Sequence, residues 1–599
     1  MKNHSFHIPV MGIGFTIDTP LKISKYGMDS VISLVDDMLM EKLRKMYCGK
    51  YEIPYQEITE KIVDFRAKRI TSYLNMIHGL AEQKFEEFKA TTLENTHGIK
   101  QYLNMLPNSS NLKKEFLHKS KSFLNKNDLN NWFKTNLSMG SIDVNIMTKL
   151  DKENFQNKKQ LPTEFNDAHA ALRGYANSQL ASSIVLSAGM NPRLYTYMEQ
   201  FKDFYPDANG YIKKKIILKV SDYRSALIQG KFLAKKGLWV SEYRIESGLN
   251  CGGHAFATDG YLLGPVLEEF KTNRTELNIT VQNLLTQALK NKNKLLPKNN
   301  LTFDITAQGG VGTAEEHQFL LNHYKIDSVG WGSPFLLVPE ATTVDDNTLE
   351  KLIAAKEEDI YLSDISPLGV PFNNLKGNTK DLEKELNIQK GRPGSSCPRK
   401  LVLLNKEFKN TGLCTASREY QYLKLKELDA KELDTKSHQI EYDKITEKSC
   451  TCVGLGTTAL IKHNIDTKSE GRGVSACPGP NLAYFSKKMS LQDMTNHIYG
   501  KSNVISHTDR PHMFIKELSI YIDYLKQQIE STKQAITVKQ EKYFHKFIKN
   551  LNTGITYYHN LFNNQLSDFK TSKEKLIADL KLYQHSLQQL ETVLIRYNN

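Results

Sequence analysis

Ser247-Gly248-Leu249-Asn250-Cys251-Gly252-Gly253-His254 and Gln308-Gly309-Gly310-Val311-Gly312-Thr313 each follow an apolar run of strand type, Trp239–Ile245 and Leu301–Thr306. A third stretch, Gly330-Trp331-Gly332-Ser333-Pro334-Phe335, follows the short run Ser328–Val329. Glycine at a strand end lets backbone N–H groups approach a ligand closely, and such groups cradle phosphate. Three such ends in succession, with a histidine on the first, point to a phosphate-bearing ligand beside an acid/base residue.

Upstream, the same pattern repeats. Strands are expected at His7–Gly14, Ser30–Val35, Ser141–Met147, Ser183–Ser187 and Lys215–Ser221, ahead of those at Trp239–Ile245, Thr302–Thr306 and Ser328–Gly330. Helical segments such as Tyr223–Lys236 and Ala314–His323 separate them, and Thr19-Pro20 reads as a helix start with Thr19 as N-cap. Eight strands alternating with helices predict an α/β protein of (β/α)8 TIM-barrel type; an open doubly wound sheet is the alternative. In a barrel the strand-to-helix loops form the active face, and phosphate is typically held after strands seven and eight. Gly309-Gly310 and Gly332-Ser333 occupy those places.

The 599 residues exceed one ordinary domain. The spacing predicts a discontinuous barrel over 1–37 and 140–380, with a lysine- and glutamate-rich helical insertion over 38–139. A cysteine-containing mixed region covers 381–509, and a helical hairpin or coiled coil covers 510–599, with a turn at Asn552-Thr553-Gly554. The tail offers a stripe for packing on the core or for homo-oligomerisation. Composition is that of a soluble globular protein, 40% hydrophobic and 24% charged. No apolar run spans a bilayer, Met1–Phe15 reads as a first buried strand, and the cytoplasm is the expected location. The net charge of +14 is dispersed, which argues against nucleic acid as a partner.

Taken together, the motifs resemble the nitronate monooxygenase family, formerly called 2-nitropropane dioxygenases, and the related flavin-dependent enoyl-ACP reductases. Ser247 to His254 is similar to the family's Q-G-x-E-A-G-G-H, with Asn250 for the glutamate and Cys251 for the alanine. Gly309-Gly310-Val311 matches its glycine pair after strand seven. Gly332-Ser333-Pro334-Phe335 matches its G-T-x-F, and Leu336, Leu337 and Glu340 continue that likeness. Val144-Asn145 resembles G-V-N, and Pro9-Val10-Met11-Gly12 loosely resembles P-M-x-G. The likeness covers the barrel portion alone.

It implies an FMN-binding barrel enzyme. FMN phosphate would lie near Gly309, Gly310, Gly332 and Ser333, with Ser247 and Gly253 nearby and the ring over Met11 and Gly12. Asn145 and Lys219 would meet the ring's polar edge. His254 would give or take a proton for a small nitronate-like or acyl substrate, and the Lys219 cation would stabilise the reduced ring. The substitutions at Asn250, Cys251, Ser333 and Pro334 alter side chains near the flavin and leave its backbone contacts intact. Two other functions fit the same loops: a flavin-free phosphate-binding barrel acting as isomerase or lyase, and a non-catalytic assembly protein.

Five of the seven cysteines lie between 397 and 477. Cys397, Cys414, Cys450 and Cys452 could supply four thiolates to an iron–sulfur cluster or zinc. Their spacings fit no standard pattern, and scattered reduced thiols is the other reading.

Overall fold

Eight parallel strands form one sheet: β1 Phe6–His7, β2 Ser30–Ser33, β3 Ile142–Ile146, β4 Ser183–Leu186, β5 Lys215–Val220, β6 Val240–Glu246, β7 Asp304–Gln308 and β8 Ser328–Gly330. They lie in the order β2-β3-β4-β5-β6-β7-β8-β1. A parallel bridge between Ile8 and Ser30, with the Ile8 N–H donating to Asp29 O at 3.1 Å, closes β1 onto β2. The fold is a (β/α)8 barrel. This computed structural model describes residues 3–94, 97–119, 126–507, 509–532, 536–564 and 573–598.

Alternation along each strand decides what fills the barrel. Tyr243 on β6 points outward, its ring 5.0 Å from that of Phe303. Glu242, Arg244 and Glu246 occupy the other face. Arg244 pairs with Glu242 at 2.7 Å, and the Thr306 hydroxyl of β7 donates to the same carboxylate at 2.7 Å. Val31, Val185 and Ile217, from β2, β4 and β5, form a separate apolar cluster with Val10 against it.

The first expected strand is cut short. Pro9 lacks the N–H that a ladder needs, and Gly12 turns the chain at φ +55°, so residues beyond His7 form a loop over the barrel mouth. Thr19 precedes the Pro20 helix without capping it, since its hydroxyl donates to Ala341 O at 2.7 Å.

Between β2 and β3 lie helices Asp37–Lys50, Phe65–Glu94, His97–Met105, Asn111–Lys119 and Lys126–Asn136. Asp36 caps the first of them by accepting from Leu39 N–H at 2.9 Å. Arg66 and Arg69 of the second helix both donate to Asp37, at 2.5 and 2.8 Å, which fastens the insertion to the end of β2.

After the barrel, β9 (Ile360–Ser363) and β10 (Phe372–Leu375) make an antiparallel pair that the sequence pattern did not suggest. Among the described residues, the C-terminal region holds three helices, Met513–Ser531, Val538–Asn564 and Lys573–Asn598, in place of a two-helix hairpin. Gly554 lies inside the second of these. A Cβ there would come within 2.6 Å of Leu262 Cδ1, so the glycine serves close packing on the barrel side and makes no turn. Among the described residues, no helix is long and apolar enough to cross a membrane.

Several histidines are built into the core uncharged. His317 accepts from Trp331 Nε1 on Nδ1 at 3.1 Å and bonds Ser5 Oγ through Nε2 at 2.9 Å. Burial lowers His4 and His512 to about 4 and His317 to about 3. Folded values below the ordinary 6.5 mean that the unfolded chain binds these protons first as pH falls. Stability is therefore full above about pH 6.5 and declines toward pH 4. Urea midpoints measured across that range are expected to fall, and His317→Gln should reduce the slope by about one proton, or roughly 1.4 kcal/mol per pH unit.

Candidate functional site

A cavity of about 350 Å3 opens at the C-terminal ends of the strands. Its floor and sides come from the barrel: Met11 and Gly12 after β1, Asn145 on β3, Lys219 on β5, Glu246 ending β6, Gln308 ending β7, and Gly332 and Ser333 after β8. Its roof comes from later chain, with Ser366 and Phe372 beside β9 and β10, then Val402, Leu404, Cys452, Leu455 and Cys477. The volume lies within the range of small-molecule sites.

Glu246 organises the polar edge. It accepts from Lys219 Nζ at 2.7 Å and from Gln308 Nε2 at 2.6 Å. Two buried amide oxygens of the cavity lining, Asn145 Oδ1 and Gln308 Oε1, have no hydrogen-bond partner among the described residues. A buried amide oxygen left unpaired costs about 1–3 kcal/mol, so both atoms are poised for a donor on a bound ligand.

His254 stands on the β6 loop, where it bridges Phe372 of β10; the Asn373 N–H donates to Gly253 O at 2.9 Å. Its Nε2 is 2.8 Å from Ser366 Oγ, and its ring meets that of Phe372 edge-on, with centroids 4.9 Å apart. Burial, helped by the charge of Lys149, lowers His254 to about 4, so the imidazole is neutral at ordinary pH. Lys149 also lines the cavity, with its ammonium 4.6 Å from the centre of the Phe256 ring.

The glycine loops divide. Gly252 and Gly253 adopt φ +88° and +66°, and Gly253 N–H donates to Cys477 O at 3.0 Å. A Cβ on Gly252 would sit 2.6 Å from Gly479 N, so only glycine lets the roof segment Cys477–Gly479 close on this loop. Gly479 N–H in turn donates to Ser333 Oγ at 2.7 Å. Gly309 and Gly310 lie behind the cavity wall, not on it. The side chains of Ser247 and Cys251 pack on Gly309, and Asn250 covers Gly310. The Ser247 hydroxyl points away from the cavity, donating to Glu517 Oε1 at 2.6 Å. Cys251 Sγ donates to Ser247 O at 2.8 Å, and burial pushes its thiol well above the ordinary range, which leaves it inert as a nucleophile.

Of the residues singled out from sequence, the cavity therefore gathers Met11, Gly12, Asn145, Lys219, Gly253, His254, Gly332 and Ser333. It does not gather Ser247, Gly309 or Gly310. Glu246, Gln308, Lys149 and Ser366 were not anticipated. Glu246 and Gln308 had a signal, since each is the last residue of a strand just before a glycine loop. Ser366 had none.

The residues present fit a flavin. Asn145 Oδ1 and Gln308 Oε1 offer acceptors, Lys219 offers a cation, and Gly332 brings backbone to the cavity wall. The metal expectation is corrected. Among the described residues, no group of three or more His, Cys, Asp or Glu side chains is arranged to hold a metal ion. Cys397, Cys414, Cys450 and Cys452 are all buried free thiols.

Behind the site, Arg510 and Glu316 form a buried pair. Arg510 Nη1 and Nη2 reach the two carboxylate oxygens at 2.8 and 3.0 Å, while Nη2 donates to Gly310 O and Nε to Asn481 Oδ1. Glu316 also accepts from the N–H groups of Gly312, Thr313 and Met513. Burial alone would raise the Glu316 carboxyl, but Arg510 and His512 hold it below its ordinary value.

No protein-family model matches the chain, and no curated protein matches its sequence. Among solved structures it is similar to FabK from Thermotoga maritima, at 10% identity and TM-score 0.29 over 66% of this chain and 80% of that one. It is also similar to the enoyl reductase domain of MlnA from Bacillus amyloliquefaciens, at 15% identity and TM-score 0.32 over 68% and 89%. A third is nitroalkane oxidase from Streptomyces ansochromogenes, at 8% identity and TM-score 0.34 over 83% and 94%.

Truncating Arg510 leaves the Glu316 charge buried and unpaired. Arg510→Ala is expected to lower unfolding free energy by on the order of 3–5 kcal/mol in urea titrations, and Arg510→Lys to recover only part of it, because lysine cannot bridge both oxygens.

Proposed function

We propose that the chain is a flavin-dependent oxidoreductase, with FMN in the barrel cavity and a small nitronate-like or acyl substrate above it. The observation that carries this reading is the polar edge at the cavity floor. There, two buried amide oxygens without a partner among the described residues, Asn145 Oδ1 and Gln308 Oε1, belong to the same cavity lining as a lysine held by Glu246. Bound there, the flavin would supply two-electron redox chemistry.

The chain's own residues have separate duties in this reading. Asn145 and Gln308 accept from the ring edge, and Lys219 places positive charge beside it. Glu246 fixes the position of the Lys219 ammonium and the Gln308 amide. Gly332 and Ser333 offer backbone at the phosphate end. The buried roof residues Leu455 and Phe372 exclude water, which strengthens each polar contact below. His254 takes or returns the substrate proton. Ser366 holds its Nε2 edge, and its neutrality makes it competent to accept a proton throughout the ordinary pH range.

The resemblance to nitronate monooxygenases favours nitronate oxidation, with enoyl reduction as the neighbouring chemistry. Purified protein is expected to carry, or to take up from added FMN, the visible absorbance band of oxidised flavin. A colourless protein that quenches no FMN fluorescence contradicts the proposal. His254→Ala should keep the flavin and lose about 10²–10⁴-fold in turnover. The limb of the wild-type pH profile that depends on His254 should be flat from pH 8 to 5 and fall only as pH approaches 4.

A further inference from the structure

Lys149 is a cation of the barrel cavity without a counter-charge. It follows β3 at the cavity mouth, lining the cavity while remaining exposed. Acidic side chains downstream of it are engaged elsewhere. Asp151 pairs with His169 at 2.9 Å and accepts from Ala168 N–H at 3.1 Å. Glu153 pairs with Lys406 at 2.7 Å, and Asp167 pairs with Lys152 at 3.6 Å and Arg66 at 3.9 Å. Among the described residues, the Lys149 ammonium rests on the Phe256 ring, 4.6 Å from its centre, and no carboxylate pairs with it.

The loops around it fix this position. The Thr148 hydroxyl donates to Gly189 O at 2.7 Å and the Thr148 N–H to Ser187 Oγ at 2.9 Å, which ties the chain after β3 to the chain after β4. The lysine stem then crosses Gly189, where an added Cβ would come within 2.5 Å of Lys149 Cε. Gly189 also holds φ +109°, so the residue that leaves room for the stem is one that the backbone already requires. The ammonium ends on the β6 loop, where Phe256 is held by its N–H donating to Gly248 O at 2.9 Å. Phe256 lies two residues beyond His254, and the Lys149 charge is close enough to bear on that imidazole. Lys149 is set apart from Gly332 and Ser333, since β2 and β1 stand between β3 and β8 in the closed barrel.

The charges of the lining do not balance. Lys219 is matched by Glu246 at 2.7 Å, and His254 is neutral at ordinary pH. Lys149 is left as one unopposed positive charge, on the side of the cavity that carries His254. A lone ammonium over an aromatic face matches a single negative charge. A phosphate dianion asks for more donors, and among the described residues no arginine lines the cavity.

Given the flavin site proposed above, we propose that Lys149 is a specificity-determining residue that selects a small carboxylate as substrate. The substrate carboxylate sits on the Lys149 ammonium at the mouth, and the reacting carbon extends inward toward His254. A carboxylate seated there covers the ammonium from water, which makes the contact a charge-assisted hydrogen bond instead of an exposed ion pair.

Binding to FMN-loaded protein is read as a perturbation of the flavin absorbance, with two matched pairs of probes: crotonate against crotonamide, and 4-nitrobutanoate against 1-nitrobutane. Each carboxylate is expected to bind about tenfold more tightly than its uncharged partner. Lys149→Met should abolish that difference and Lys149→Arg should keep it, with FMN uptake by both variants showing that they are folded. Equal binding within each pair, no response to any of the four probes, or a preference for carboxylate that survives in Lys149→Met overturns the assignment of Lys149 alone. Protein that takes up no FMN contradicts the flavin site itself, and this assignment falls with it.

Discussion

The buried pair of Arg510 and Glu316 is the contact on which the C-terminal end of the barrel depends. Glu316 caps its own helix by taking the Gly312 and Thr313 N–H groups, and Arg510 reaches past it to Gly310 O. The same carboxylate accepts from Met513 N–H, where the first C-terminal helix begins. One ion pair therefore fixes the loop after β7, the helix after it, and the start of the C-terminal helices. Its low exposure makes each partner obligatory to the other, because neither charge has water to fall back on.

That clamp explains why the site is built from two distant parts of the chain. The barrel supplies the polar floor, and the roof is laid over it by chain far downstream. Glycine is what permits the closure, since Gly252 and Gly479 approach more closely than any side chain allows. Closure also sets the chemistry of His254. The roof buries the imidazole beside Ser366 and Phe372, and that burial keeps it neutral. Glu517 extends the same logic on the far side of the β6 loop. It accepts from Ser247 Oγ and Leu263 N–H, while burial raises its carboxyl to about 7.

Much of the barrel was legible in the sequence because its signals are local. Helix Ala314–His323 has the bounds that Thr313 and the apolar spacing indicate, and Thr313 with Glu316 forms the capping box there. Strands β3 to β6 differ from expectation by a residue or two at their ends, where hydrogen bonding frays and apolar pattern does not. The stretch after His7 looked like a strand because it is apolar, but it is apolar for the cavity it lines. The glycines at 309 and 310 carried a phosphate signature, yet their neighbours are the side chains of Ser247, Asn250 and Cys251. A loop that must pack against another loop and a loop that must bind phosphate ask for the same residue. The roof and Ser366 were not legible, since each depends on contacts between residues far apart in the chain.

The central claim is that the cavity between the β6 and β8 loops is a flavin site. Hydrogen–deuterium exchange with and without saturating FMN tests it most directly. Slowed exchange is expected in peptides covering Ser247–His254 and Gly330–Leu336, with helix Lys573–Asn598 unchanged. Unchanged exchange at both loops, or slowing confined to other segments, would contradict it.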